Sequence, residues 1–130
     1  MEFAELLSLA WGARSQAYAP YSKFQVGAAL LAASGQVYRG CNVENLSFGL
    51  TICAERAAIC AAVAAGERAF TRLAIVAESK TPVSPCGACR QVLAEFGLGL
   101  EICCENEVGE RYVAYLRDLL PRASEGILGT

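Results

Sequence analysis

Cys53-Ala54-Glu55-Arg56-Ala57-Ala58-Ile59-Cys60-Ala61-Ala62-Val63-Ala64-Ala65-Gly66 is the stretch from which the rest of the chain can be placed. Alanine, the best helix former, dominates it, and a glycine follows as a stop, so residues 53–65 read as a helix. Upstream, 42–52 has the composition of a loop. Before that, the apolar-rich runs 25–33 and 36–41 flank Ser34-Gly35, the pattern of an antiparallel hairpin. Gly27 and Gly40 are unusual inside such strands. Phe3, Leu6, Leu7 and Ala10 recur on one helical face, predicting an amphipathic helix up to about Tyr18 that ends before Pro20. Downstream, 72–77 reads as a buried strand, and Pro82 and Pro85 make 80–85 a loop. A helix over 86–96 is stopped by Gly97, strands follow at 100–104 and 111–114, and a short helix at 115–120 ends before Pro121. A hairpin followed by alternating helices and strands belongs to the α/β class.

The composition narrows the function. A chain of 130 residues, 55% hydrophobic, suits one domain over 1–130 with a substantial core. Acids outnumber bases only 13 to 11 and the cations are scattered, so no nucleic-acid partner is expected and a small-molecule substrate is. The apolar run 57–65 is far too short to cross a bilayer, so no membrane partner is expected. Glu2 and Glu5 stand where a signal peptide would be basic. The seven cysteines are odd in number and absent from the first forty positions, a poor disulfide framework that points to a reducing, cytoplasmic compartment. Histidine is absent altogether, which removes the commonest general base and the commonest metal ligand. A zinc site in this chain must therefore rest on thiolates or carboxylates.

Ser84-Pro85-Cys86 reads as a helix start, with Ser84 as N-cap, Pro85 as first helical residue and Cys86 in the first turn. Cys89 lies three residues on, on the same face, and the positive helix end favours the thiolate. This spacing alone also fits a redox dithiol, a structural zinc knuckle or two core cysteines. Cys53 narrows the choice, because Thr51 offers a cap that puts a third cysteine at a second helix start. Three protein ligands leave a position for chemistry, whereas a fourth sulfur would close a structural site. Cys41, Cys60, Cys103 and Cys104 are candidates for that fourth ligand, but each sits in a predicted strand or helix interior, where it reads as a small buried hydrophobe.

Glu55 supplies the proton carrier that a metal-activated water needs, provided Cys53 lies at the helix start, since residues two apart inside a helix face opposite sides. The alternative is a solvated glutamate favoured by the dipole. Arg56, three residues from Cys53, is either a surface cation or a donor to the sulfurs that offsets the net negative charge of three thiolates on zinc.

Cys53-Ala54-Glu55-Arg56 together with Pro85-Cys86-Gly87-Ala88-Cys89-Arg90-Gln91 resembles the small, homotetrameric, zinc-dependent cytidine deaminases. Tyr18-Ala19-Pro20-Tyr21-Ser22-Lys23-Phe24 and Gly40-Cys41-Asn42-Val43-Glu44-Asn45 extend the likeness from Ala17 to about Pro121. The resemblance implies a three-layer α/β/α fold with a mixed five-stranded sheet. It also implies one zinc per subunit on Cys53, Cys86 and Cys89, and hydrolysis of cytidine, with deoxycytidine, to uridine and ammonia in pyrimidine salvage. Glu55 would move the protons, the Ala54 N–H would hold the pyrimidine O2, and the Ser84 carbonyl would hold the exocyclic amine. Phe24 would face the base, while Asn42 and Glu44 take the ribose hydroxyls. An aromatic face suits a flat base, and a carboxylate accepting hydroxyls rejects sugars that lack them. Read from local sequence alone, Phe24 fits core and 42–45 fits a turn equally well. Two positions depart from the family: Phe48 where tyrosine is common, and Ser124 where an aromatic usually reaches a neighbouring subunit; Ile127 or Leu128 could cover the base instead, but the tail diverges from the family there and is given no site role. The nearest alternatives are a blasticidin S deaminase and a non-enzymatic zinc module.

Overall fold

The structure is a computed structural model and describes residues 1–123 and 125. Ser124, Ile127 and Leu128, singled out above, lie outside the described residues.

The elements follow in the order α1 (Phe3–Arg14), β1 (Val26–Ala32), β2 (Val37–Cys41), α2 (Ala54–Ala64), β3 (Phe70–Ala77), α3 (Gly87–Ala94), β4 (Glu101–Glu105), β5 (Arg111–Tyr115) and α4 (Leu116–Leu119). The five strands form one sheet in the order β2-β1-β3-β4-β5. Only β3 and β4 run parallel, joined through α3, so the sheet is mixed. Gly35, at φ +95°, makes the tight turn between β1 and β2.

The central strands are near-continuous apolar runs because both of their faces are buried. Side chains alternate across the sheet, so Ala28, Leu30, Leu73, Ile75, Ile102 and Cys104 meet α2, α3 and α4 on one side. Ala29, Leu31, Ala74, Val76 and Cys103 meet Leu6, Leu7 and Ala10 of α1 on the other. Helices on both faces give the three-layer α/β/α architecture with a mixed five-stranded sheet expected from the sequence.

Helix ends moved relative to expectation. The first helix stops at Arg14, and α3 ends at Ala94. Gly27 and Gly40, unusual by strand propensity, are close-approach positions. A Cβ on Gly27 would run into the Ala10 carbonyl of α1, and one on Gly40 into the Ala54 carbonyl and Ala58 nitrogen of α2. Gly40 therefore seats the start of α2 directly on β2.

Candidate active site

The site lies at the end of the sheet where β1 begins and β2 and β3 end. Val26 pairs with Ala77 there, and Gly27 with Cys41. The starts of α2 and α3 converge on the same end. Ser84 and Thr51 were the expected caps, yet Cys86 and Cys53 occupy the cap positions, with extended backbones at φ −67°, ψ 168° and φ −73°, ψ 153°. Their carbonyls accept the first helical bonds, from the N–H groups of Arg90 and Ala57, both at 3.0 Å. Neither thiol caps its helix through the side chain. The two sulfurs turn toward each other instead, at 3.8 Å, and Cys86 and Cys89 sulfurs stand 3.5 Å apart.

All three sulfurs fall within 4.8 Å of one another. Ligands about 2.3 Å from one tetrahedral zinc stand about 3.8 Å apart, so the triangle matches a zinc-binding face. The cluster contains no fourth cysteine among the described residues. Cys103 and Cys104 are buried on opposite faces of β4. Cys60, expected inside, is exposed on α2, and Cys41 is half-buried. Cys53, Cys86 and Cys89 can thus hold one metal ion and leave its remaining position to solvent or ligand.

The local charges suit that role. The Cys89 thiol donates to Cys53, and with the Arg56 guanidinium it holds the Cys53 thiol down to about 5, against the opposing effect of burial. The same hydrogen bond pushes Cys89 upward. A thiolate is therefore already favoured at one corner of the triangle, and both helix dipoles point their positive ends at it. Arg56 Nη2 donates to Cys53 Sγ at 3.3 Å and to the Thr51 carbonyl at 3.2 Å. Its Nε is buried without a partner. A guanidinium short of acceptors beside three sulfurs is matched by negative charge on that cluster.

With Cys53 at the cap, the helical objection to pairing it with Glu55 disappears, because the cap side chain does not follow the helical spacing. Glu55 is only 5% exposed and lines the same cavity as Cys53 and Cys86. Burial pushes its carboxyl above the ordinary carboxylate range, aided by the charge of Cys53. A carboxyl shifted upward holds a proton more readily than an ordinary carboxylate, which suits a group that must both take and return one.

The cavity has a volume of about 360 Å³, and rigid small-molecule sites run roughly 300–1,000 Å³. Phe24, Asn42, Glu44, Ala54 and Ser84 all line it. So do Ser22 and Thr51, neither of which the sequence marks as part of the site. Arg56 and Cys89 stand behind the wall. Asn42 and Glu44 are nearly buried, and segment 42–44 is threaded between two neighbours. Glu44 N–H donates to Tyr18 O at 2.9 Å, while Val43 and Ile52 exchange N–H bonds at 2.9 and 3.0 Å.

Arg90 ties the far wall, donating to Pro85 O at 2.7 Å, Leu119 O at 2.8 Å and Ser84 Oγ at 3.0 Å. The chain signalled Ser22 only by its place two residues before Phe24; its partner Glu44 is twenty-two residues away, beyond any local pattern.

Comparison with known proteins gives a consistent result. Residues 2–104 match the family described as the cytidine and deoxycytidylate deaminase zinc-binding region. A cytidine deaminase of Sporosarcina psychrophila is 50% identical over 124 residues, covering 95% of this chain and 91% of its own. The crystal structure of a cytidine deaminase from Burkholderia pseudomallei superimposes with a TM-score of 0.90 at 50% identity, covering 93% of this chain and 98% of its own. That of a Mycobacterium tuberculosis cytidine deaminase gives 0.81 at 44% identity, covering 93% and 95%.

Proposed function

Because this chain belongs to the zinc-dependent cytidine deaminase family, we propose that Cys53, Cys86 and Cys89 hold its zinc and that Glu55 carries its protons. The activity is the hydrolytic deamination of cytidine, in which water replaces the amino group at C4 and uridine and ammonia are released. The observation that carries the assignment is the buried Glu55 carboxyl sharing one cavity with a triangle of three sulfurs. When bound, zinc lowers the pKa of a coordinated water and so supplies the nucleophile.

Glu55 takes a proton from the attacking water, delivers it to ring N3, and then helps protonate the amine as its bond to C4 breaks. One carboxyl serves as base and acid in turn, and its raised pKa matches both duties. The Ala54 N–H orients the pyrimidine O2, and the Ser84 carbonyl accepts from the exocyclic amine. Phe24 faces the base, and Asn42 and Glu44 take the ribose hydroxyls. Arg56 donates to the Cys53 sulfur and would offset the negative charge that three thiolates place on a bound zinc.

Deoxycytidine is a further substrate, and the reaction serves pyrimidine salvage in the cytoplasm, a setting that fits seven free thiols. No helix among the described residues is long and apolar enough to cross a membrane. Residues 1–130 act as one deaminase domain, and four copies form the working enzyme. Exposed Leu46, Phe48, Leu50 and Ile52 beside the cavity are apolar surface that a neighbouring copy would cover.

Loss of cytidine absorbance on adding the purified protein, with and without a zinc chelator, tests the activity. Glu55→Gln tests the proton carrier: zinc and fold are retained while turnover nearly disappears. Unchanged deamination in that variant refutes the role of Glu55. Rates on cytidine, deoxycytidine and blasticidin S test the substrate, and a preference for the antibiotic overturns the nucleoside assignment.

A further inference from the structure

Phe24 has to present a flat face to the cavity, yet it is 41% exposed and belongs to neither core cluster. What holds it is hydrogen bonding. Its carbonyl accepts from Asn42 Nδ2 at 2.7 Å, and its N–H donates to Ser22 Oγ at 3.0 Å. The Ser22 hydroxyl in turn donates to Glu44 Oε2. Glu44 Oε1 accepts the N–H groups of Tyr21 and Ser22, both at 3.1 Å. Between Ser22 and Phe24, Lys23 has φ +62°, in the left-handed region that non-glycine residues seldom occupy. The turn that aims Phe24 is thus held in an uncommon conformation by a carboxylate from another loop.

We infer that Ser22 is a positioning residue whose hydroxyl couples sugar recognition at Glu44 to base recognition at Phe24. The inference rests on the reading of Glu44 as the sugar acceptor. A carboxylate offers about four lone-pair directions. Three are filled by Ser22 and Tyr21, leaving one for an incoming sugar hydroxyl. The Ser22 hydroxyl has a single proton, given to Glu44, and a lone pair, given to the Phe24 N–H. It has no proton left to donate to the substrate, and its effect is carried through the two residues it bonds, which the dideoxynucleoside comparison below tests. Removing it frees the carboxylate to rotate and the Phe24 backbone to drift, so the two halves of the nucleoside are no longer read in register.

The test compares cytidine with 2′,3′-dideoxycytidine, which keeps the base and lacks the 2′ and 3′ hydroxyls, using zinc-loaded protein. Ser22→Ala raises KM for cytidine about tenfold, the value of one hydrogen bond to a charged group. Its kcat stays within about twofold, since no reacting atom is touched. The dideoxynucleoside is affected less, so discrimination between the two narrows. Ser22→Thr keeps the hydroxyl and restores both parameters. Adding Lys23→Gly to Ser22→Ala relieves the left-handed backbone without restoring the hydroxyl, and the lost discrimination does not return. An unchanged KM in Ser22→Ala, an equal loss for both nucleosides, or rescue by Lys23→Gly overturns the proposal. Glu44→Gln separates the two readings. If it narrows discrimination and Ser22→Ala does not, the coupling through Ser22 is wrong; if neither does, Glu44 does not read the sugar and the coupling falls with it.

Discussion

Cys53, Cys86 and Glu55 hang from two helix starts seated on a buried sheet, whereas Phe24, Asn42 and Glu44 stand on loops that hold one another by side-chain hydrogen bonds. The floor is stiff because Ala54, Ala58 and Ile59 of α2 pack into the core and Gly40 lets the helix touch the strand. The wall has little such packing behind it, and its order comes from a few polar contacts around one carboxylate. Chemistry that needs sulfurs at fixed separations sits on the rigid part. The substrate recognition proposed for Phe24, Asn42 and Glu44 sits on the part held by side-chain hydrogen bonds, which loss of the Ser22 hydroxyl is expected to loosen.

The difference predicts a hierarchy of effects. Removing zinc with a chelator takes cytidine turnover to background, and adding it back restores the rate; appreciable turnover by protein shown to be zinc-free breaks the picture of the floor. Glu55→Gln lowers kcat by about 10²–10⁴-fold, the range for a positioned acid–base group, with zinc content by metal analysis unchanged. Truncating the support beneath the floor, Ile59→Ala, costs about 2–5 kcal/mol in urea unfolding, since it leaves a cavity in the core. By contrast, Val108→Ala, at an exposed position in the turn between β4 and β5, changes stability by about 0.5 kcal/mol or less. Arg56→Gln lowers activity or zinc affinity by about 10–100-fold, the usual effect of removing a partner of a metal ligand; a loss of neither shows that the Arg56–Cys53 contact does not tune the metal site.

The smallest effect is a pH signature of the wall. The Ser22 hydroxyl, followed by the backbone N–H groups of Ser22 and Tyr21, holds the Glu44 carboxyl below its ordinary range. A depressed carboxylate stabilises the fold above its unfolded pKa and loses that contribution as pH falls through the folded one. The gap in thermal midpoint between wild type and Ser22→Ala is therefore full at neutral pH and closes in acid. A gap that widens on acidification contradicts the Ser22–Glu44 contact.

Legibility in the sequence divided along the same line. The two cysteine motifs could be placed on helices from alanine content, proline and glycine, because those signals act within a turn or two of the residue concerned. The caps were misplaced. Serine and threonine are favoured N-caps for a side-chain bond whose loss costs about 1 kcal/mol, but Cys53 and Cys86 take those positions and make no such bond. Cys60, read as interior from its place in an apolar helix, faces outward, because the buried stripe of α2 runs through Ala54, Ala58, Ile59 and Ala62. Ser22 went unselected since nothing near it in the chain announces Glu44.

By itself the sequence determined the alternation of elements, the absence of any imidazole, and a donor set in which three thiols and one carboxyl are the economical means to a zinc hydrolase. These are properties of composition and short spacing, and helical periodicity reports them directly. Only the tertiary structure decided that two helix starts bring the three sulfurs into one triangle with Glu55 beside it. It also decided that a carboxylate twenty-two residues away pins the turn carrying Phe24. Those arrangements depend on contacts between segments distant in the chain, formed only when the sheet has brought its ends together.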